Sequence, residues 1–365
     1  MPRTTTTVCA ALATLALALS GCGATQLPQE QVTRTSVQVA PRAAHSMPNA
    51  TRSRPTAAQA AAAGPVRRVL GVSLDGLRSS VINQLGRAGT PTLHRLMAHG
   101  ASTLNARTER EMTVTLPNHT GMVTGRRITA SRGGHGVIWN DDRRRPRTVQ
   151  RAAGHDVSSV FRVVHNASRN TALFASKTKF SLFERSWSTA IDKVRIRLDN
   201  AALTRMARTD LLRHNRGFTF LHLSAPDDAG HSRGWNSPAY RDAVRATDRR
   251  LGQIVRTING HARLRDHLVL LVTADHGGTG KSHGDATRLV NYRIPFIVWG
   301  RTVARGANLY GLNSDYANPG DRRTSYADSQ QPVRNGAVAN LALDLLGLGA
   351  VRGSEHDRAQ DLDWN

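Results

Sequence analysis

The sequence predicts an α/β sandwich, a mostly parallel central sheet with helices on both faces. Three observations predict it. Short apolar runs bounded by turn residues recur along the chain, helical patterns fall between them, and polar residues cluster just past the ends of three runs. Strands that alternate with helices pair in parallel through crossover connections. Sites in open α/β sheets lie at the C-terminal edge of the strands, where these polar clusters fall.

The folded domain is expected to begin at Val66. Arg68 to Leu74 reads as a buried strand that ends in Asp75-Gly76. Phe218 to Leu223, His267 to Thr273 and Ile294 to Trp299 read as further strands. Between them, Ser237-Pro238 opens a helix whose apolar face holds Val244, Leu251, Ile254, Val255 and Ile258. Other helices are expected after Pro91 and from Val338 to Leu346, and Pro117 in a first turn predicts a helix start at Thr115-Leu116-Pro117. There is no internal repeat.

Ahead of the domain, Arg3 precedes the apolar run Val8 to Leu19, which is too short to span a bilayer and suits a signal-peptide core. Leu19-Ser20-Gly21-Cys22 then resembles a bacterial lipobox. That resemblance implies removal of residues 1–21, lipidation of Cys22 and an outward-facing, lipid-anchored protein of the bacterial cell envelope; an ordinary secretory signal is the alternative. Residues 22–65, rich in Thr, Gln, Pro, Ala and Arg, read as a flexible tether, 66–354 as the folded domain and 355–365 as a tail. With Cys9 in the discarded segment and Cys22 carrying lipid, no cysteine is left for a disulfide, a thiolate metal ligand or a nucleophile.

The chain carries 50 Lys+Arg against 26 Asp+Glu, a formal charge of +24, which favours polyanions such as anionic wall polymers or lipid surfaces. Lys177, Lys179, Lys193 and Lys281 are the only lysines, and arginine enrichment of this kind also follows from GC-rich coding. No specific nucleic-acid recognition is predicted.

The chemistry is expected to reside in Asp75, Asp227, His231, Asp275, His276 and His283. Carboxylates and imidazoles are hard and borderline ligands that hold divalent metals without thiolate, and six of them suit two ions. Asp227 and His231 stand four apart in the short loop Pro226–His231, where Gly230 permits a sharp bend that wraps both onto one ion. Asp275 and His276 are adjacent just past a strand, where the chain can curl and place both on a second.

At this point the sequence resembles the type I phosphodiesterase/nucleotide pyrophosphatases of the alkaline phosphatase superfamily, over roughly Val66 to Ser354. Ser73-Leu74-Asp75-Gly76 matches the family's first metal-binding Asp, and Thr115-Leu116-Pro117-Asn118-His119 its nucleophile run. Thr124-Gly125, His135-Gly136 and Asn140 follow in order, as do Pro226-Asp227-Asp228-Ala229-Gly230-His231, Ala274-Asp275-His276-Gly277 and His283-Gly284. The resemblance implies an alkaline phosphatase-like fold and two divalent metal ions, zinc first among them. It further implies one metal held by Asp227, His231 and His283, the other by Asp75, Asp275, His276 and Thr115, with Thr115 as nucleophile and Asn140 on the substrate phosphate. Only seven positions separate His276 from His283, where typical nucleotide pyrophosphatases carry a long insertion, so substrate selection is open.

The expected reaction is hydrolysis of a phosphate ester, a phosphodiester or pyrophosphate first, through a covalent phospho-threonine. Zn²⁺ lowers the pKa of a coordinated hydroxyl, and two metals about 4 Å apart can clamp an in-line displacement. The helix start at Thr115 offers N–H groups to the phosphate, and the Asn140 amide donates without adding charge, which suits a diester. A phosphomonoesterase or phosphonate hydrolase on the same site is the alternative, and a polyanion-binding lipoprotein with an inactive site is the reading from another class. Thr115-Leu116-Pro117-Asn118-His119 argues against a sulfatase, which needs a Cys or Ser that matures to formylglycine within a Cys/Ser-x-Pro-x-Arg motif, and the export signal opposes a phosphoglycerate mutase.

Other residues have plainer expected roles. His119 and His135 are expected to brace loops, and Asp228 to orient His231 or to be solvated. His94, His99, His155, His165, His214, His222, His261, His267 and His356 are expected to be structural or solvated. Phe180 and Trp139 read as core packing, with stacking on a nucleobase as the functional reading. Lys177 and Lys179 are candidates for contact with a substrate phosphate or leaving group. For Arg143, Arg144, Arg145 and Arg147 a solvated loop is the default, and a rim that attracts polyanionic substrates the sharper reading.

Overall fold

The structure is a computed structural model and describes residues 65–365. The expected signal peptide, Cys22 and the expected tether up to residue 64 lie outside the described residues. Among the described residues there are eight strands, β1 (Arg68–Leu74), β2 (Ala101–Arg107), β3 (Asn170–Ala175), β4 (Lys193–Ile196), β5 (Arg216–Leu223), β6 (Leu268–Thr273), β7 (Arg293–Trp299) and β8 (Ala307–Asn308). They form one sheet in the order β4-β3-β5-β1-β6-β7-β2-β8. All neighbours pair in parallel except that β7 runs antiparallel to both β6 and β2.

The central strands β1, β5 and β6 are buried along their whole length, which is why they read as continuous apolar runs rather than alternating ones. Their ends are level. Leu74 pairs with Leu223 and Ser73 with Thr273, so the residues that follow all three strands emerge side by side.

Helices flank the sheet in two groups, in keeping with the predicted sandwich. The helix Pro238–Asn259 packs against Ala225–Arg233, Pro91–Ala98, Asn200–Arg213 and Ser79–Gly89. The helix Val338–Leu345 packs against Val160–Asn166, Thr115–Thr124 and strands β1 and β6. Asp248, buried in the long helix, accepts hydrogen bonds from the backbone of Thr92 and Leu93 at 3.0 and 2.8 Å, capping the neighbouring helix whose own N-cap has no side-chain bond.

Residues 355–365, read from sequence as a tail, pack on the domain. His356 meets Glu109 at 2.8 Å, Asn340 donates to the His356 carbonyl at 2.7 Å, and Leu362 is buried. Among the described residues no helix is long and apolar enough to cross a membrane.

Candidate metal centre

The level ends of β1, β5 and β6 deliver acids and histidines to one place. Asp75 leaves β1 fully buried, and its Oδ2 lies 2.8 Å from Nε2 of His222 on β5. Gly76 follows with φ +71°, a conformation that favours glycine, and a Cβ there would stand 2.9 Å from Asp227 Cα. Its N–H donates to Asp275 Oδ1 at 3.1 Å, and its carbonyl accepts from Trp235 Nε1 at 3.0 Å and Tyr240 Oη at 2.9 Å.

Asp227 and His231 sit in the helix Ala225–Arg233, not in the bent loop expected from Gly230. Pro226 in the first turn favours the helix, and a spacing of four then puts both side chains on one face. Gly230 instead makes room for Trp235, which lies against it: a Cβ there would stand 2.5 Å from the indole. His231 Nε2 is 3.5 Å from Asp227 Oδ1 and 3.0 Å from His283 Nε2, while its Nδ1 faces the Lys281 carbonyl at 3.1 Å. Asp228 does not orient His231; it accepts from Ser224 Oγ at 2.7 Å.

Asp275 and His276 are fully buried just past β6, with His276 Nε2 3.1 Å from Asp275 Oδ2 and 3.5 Å from Asp75 Oδ1. The His283 ring stacks on His276 with centroids 3.7 Å apart, and its Nδ1 meets the Thr113 carbonyl at 2.5 Å. Two groups result, Asp75-Asp275-His276 and Asp227-His276-His283, each with ligand atoms within 4.8 Å of one another. His276 faces both.

Thr115 begins the buried helix Thr115–Thr124, and its Oγ1 is 3.3 Å from His276 Nε2. His119, one turn on, is held between the Thr115 carbonyl at 2.7 Å and Ser73 Oγ at 2.8 Å, so it ties the helix to β1. Asn140 Oδ1 accepts from the Leu116 N–H at 3.0 Å. That bond occupies one of the helix-start donors expected to face a phosphate, and it fixes the amide so that Nδ2 remains as the donor. His135 Nδ1 accepts from the Val137 N–H at 3.1 Å, a loop contact.

Lys177, which follows β3, places Nζ 2.7 Å from Asp75 Oδ2 and 2.5 Å from Asp227 Oδ2. Burial alone would raise the Asp75 carboxyl, but Lys177 and His222 hold it well below the usual range. Asp275 is pushed well up by burial and by the neighbouring Asp75 and Asp227 carboxylates, and Asp227 rises through burial and the charge of Asp75. Burial holds His276 well below the ordinary imidazole value, with His283 adding to it, and burial also lowers His283. Neutral imidazoles are ligands. Asp75 Oδ1, Asp227 Oδ1 and Asp275 Oδ2 are buried without a hydrogen-bond partner, an expensive arrangement for three carboxylates with one ammonium among them. Divalent cations fit such a donor set.

Sequence reasoning missed three supports. His222 is neither solvated nor a mere core ring: Ser176 N–H approaches its Nδ1 at 3.3 Å, so Nε2 carries the proton that meets Asp75. Trp235 packs on Gly230 and Gly278 and edges both His231 and His283. Tyr240 braces Gly76. A histidine at the next-to-last position of a strand ending beside an acid was the available signal for His222; the aromatic supports had none. Phe180 is fully buried and packs on His119 and His222, whereas Trp139 is buried with Arg143 over its ring at 5.7 Å.

Comparison with known proteins bears on the family and the fold. The sequence profile of the type I phosphodiesterase/nucleotide pyrophosphatase family matches residues 69–338. Murine ectonucleotide pyrophosphatase/phosphodiesterase 5, an inactive variant in complex with AMP, superposes with a TM-score of 0.58 at 15% identity over 81% of this chain and 99% of that one. The human counterpart gives 0.57 at 15% identity over the same shares. Among curated proteins, GPI ethanolamine phosphate transferase 1 of Yarrowia lipolytica is 32% identical over 143 residues, 38% of this chain. The Saccharomyces cerevisiae protein of the same name is 28% identical over 151 residues, 39% of this chain. The match spans about 15% of the length of either transferase.

Proposed function

The chain belongs to the type I phosphodiesterase/nucleotide pyrophosphatase family, and we propose that it cleaves phosphodiester or pyrophosphate bonds through a covalent phospho-threonine at Thr115. As a family member it is an enzyme of phosphoric-ester chemistry. The observation that carries the finer reading is Thr115 Oγ1, 3.3 Å from His276 Nε2, which itself lies 3.1 Å from Asp275 Oδ2 and 3.5 Å from Asp75 Oδ1, carboxylate oxygens buried without a hydrogen-bond partner.

Asp75, Asp275, His276 and Thr115 would hold one divalent ion, and Asp227, His231 and His283 the other, zinc suiting the N/O donors. When bound, such ions lower the pKa of a hydroxyl and neutralise charge on a phosphoryl group. Thr115 Oγ1 forms the bond to phosphorus as the ester bond to the leaving oxygen breaks, and its proton ends on that oxygen or in solvent. Asn140 Nδ2 donates to a non-bridging oxygen. Water then cleaves the Thr115 ester and releases the phosphorylated product. His119 and the Leu116–Asn140 bond keep the hydroxyl in place for both steps. Lys177, whose ammonium sits at Asp75 and Asp227, and Lys179, in the field of the same carboxylates, are the candidates for contact with a substrate phosphate or leaving group, and removal of residues 1–21 with lipidation at Cys22 would hold the enzyme on the outer face of the membrane, near anionic wall polymers.

The matched stretch of the GPI ethanolamine phosphate transferases favours a second outcome, in which an alcohol rather than water accepts the group from Thr115. One experiment separates the readings. Thr115→Ala should keep its metal content and lose about a thousandfold or more of bis(p-nitrophenyl) phosphate turnover. Full activity in that variant excludes Thr115. Turnover of the wild type with added ethanolamine distinguishes the acceptors, since a transferase yields the aminoethyl diester. A p-nitrophenyl monoester assayed in parallel decides between diesterase and the alternative monoesterase.

A further inference from the structure

The loop that follows Asn140 and the short helix that follows Lys177 enclose a cavity of about 860 Å³. Arg144, Arg145, Arg147 and Arg185 line it, against Asp142 and Glu184. Among the described residues, none of these four arginines is held in an ion pair, although Asp142 and Glu184 act on Arg185 from the same wall. Arg185 donates to the carbonyls of Arg147 at 3.0 Å and Arg143 at 3.3 Å and to Ser181 Oγ at 2.8 Å. Among the described residues, the one ion pair of the loop is Arg143 with Asp141 at 2.5 Å. Burial and the facing charges of Arg144 and Arg147 lower the pKa of Arg185, and the Glu184 and Asp142 carboxylates offset only part of that.

Two chain segments run from the catalytic centre to the walls of the cavity. Thr178, on its wall, follows Lys177, whose ammonium touches Asp75 and Asp227. Lys179 lies in the field of Asp75, Asp227 and Asp275 on one side and acts on Asp141 of the arginine loop on the other. On the opposite wall, Asp142 comes two residues after Asn140, the amide fixed to the helix of Thr115. Guanidinium groups bind phosphate through paired, charge-assisted hydrogen bonds and gain most where carboxylates have not already claimed them.

We propose that this cavity is an anion subsite that binds a second phosphate group on the substrate, so that the preferred ester is a phosphodiester or pyrophosphate with one arm ending in a phosphate. The proposal rests on the phosphodiesterase reading of the Thr115 site. It makes the arginine run a determinant of specificity rather than a solvated loop, and it supplies selectivity close to the reacting phosphorus without the insertion missing between His276 and His283.

The test uses two p-nitrophenyl diesters that differ only in the second arm, propyl or 3-phosphopropyl. The metal-loaded wild type should favour the phosphate-bearing arm by about tenfold or more in kcat/KM at low ionic strength, and about 0.5 M salt should shrink that ratio. In Arg144→Gln/Arg147→Gln, which spares the hydrogen bonds of Arg185, the ratio should fall to about twofold or less. A wild-type ratio near one, or a ratio that the variant keeps, overturns the subsite. If neither ester is cleaved, the phosphodiesterase reading fails instead, and calorimetry with propane-1,3-diyl bisphosphate against propyl phosphate decides the subsite. Selective binding lost in the variant sustains it; equal binding of the two overturns it. Thermal unfolding of the variant confirms that the loop change leaves the fold intact.

Discussion

His222 Nε2 stands 2.8 Å from Asp75 Oδ2, with both side chains fully buried. The ring donates, because Ser176 N–H claims its Nδ1. It therefore sets the direction in which Asp75 presents its other, unpartnered oxygen to the site. His222→Phe keeps a ring against Phe180 and His119 while removing the donor. Zinc affinity, measured by competition with a chromogenic chelator, should drop about 10–100-fold. Wild-type affinity in that variant would show that Asp75 needs no such guide.

Lys177 bridges Asp75 and Asp227, and its charge does in the metal-free protein what cations would do in the loaded one. Removing the ammonium leaves two buried carboxylates facing each other. Lys177→Met should therefore destabilise the metal-free protein by about 3–5 kcal/mol, the cost of breaking a buried ion pair. Saturating zinc should recover most of that loss, since the ions replace the missing charge. Urea unfolding with and without metal reads both quantities. An equal loss in the two conditions would mean that Lys177 acts through packing rather than charge.

How much of this was legible in the sequence follows from what each feature depends on. β1 and β6 were readable because burial on both faces demands unbroken apolar runs, and the acids that follow them were readable because a strand end stops the run. β4, only partly buried, and the two-residue β8 carry no such signal. The antiparallel turn of β7 left no mark either, since direction depends on the connection and not on the strand. Within the site, the ligand types and spacings were visible. The bend expected at Gly230 is absent because Pro226 starts a helix that runs through it, and the glycine is needed only for the packing of Trp235, which no local pattern announces. Lys177 stood out only as a rare lysine, and its meaning came from the approach of Asp75 and Asp227, far apart in the chain.

Gly76, two residues past β1, lies against Asp227 in the helix Ala225–Arg233. At φ +71°, with Asp227 Cα and Cβ each 2.9 Å from a built Cβ, the position tolerates neither the conformation nor the volume of a side chain. Gly76→Ala should cost about 1–2 kcal/mol for the left-handed conformation and more for the displaced helix. Because Asp227 moves with that helix, metal affinity should fall together with stability. Chelator competition on the folded variant tests the second effect by itself. Unchanged affinity at reduced stability would confine Gly76 to the fold.

Asp357, in the C-terminal segment, lies against Tyr316, whose hydroxyl donates to Oδ1 at 3.2 Å, and the Leu362 N–H donates to the same oxygen at 3.2 Å. Burial pushes its carboxyl up to about 7. The folded pKa exceeds the unfolded value of about 3.9, so the folded state favours the proton; stability from this group is full below about pH 4 and lost as pH rises through about 7. Asp357→Asn keeps the accepting oxygen, cannot ionise and tolerates the residue's φ of +50°. Its melting temperature should match the wild type near about pH 4 and exceed it increasingly from about pH 5 to 8. The quantity to follow is the difference between the two proteins across that range, which removes the titration of every other group. A difference that stays flat would mean that Asp357 does not titrate within a packed segment, and that residues 355–365 leave the domain in solution.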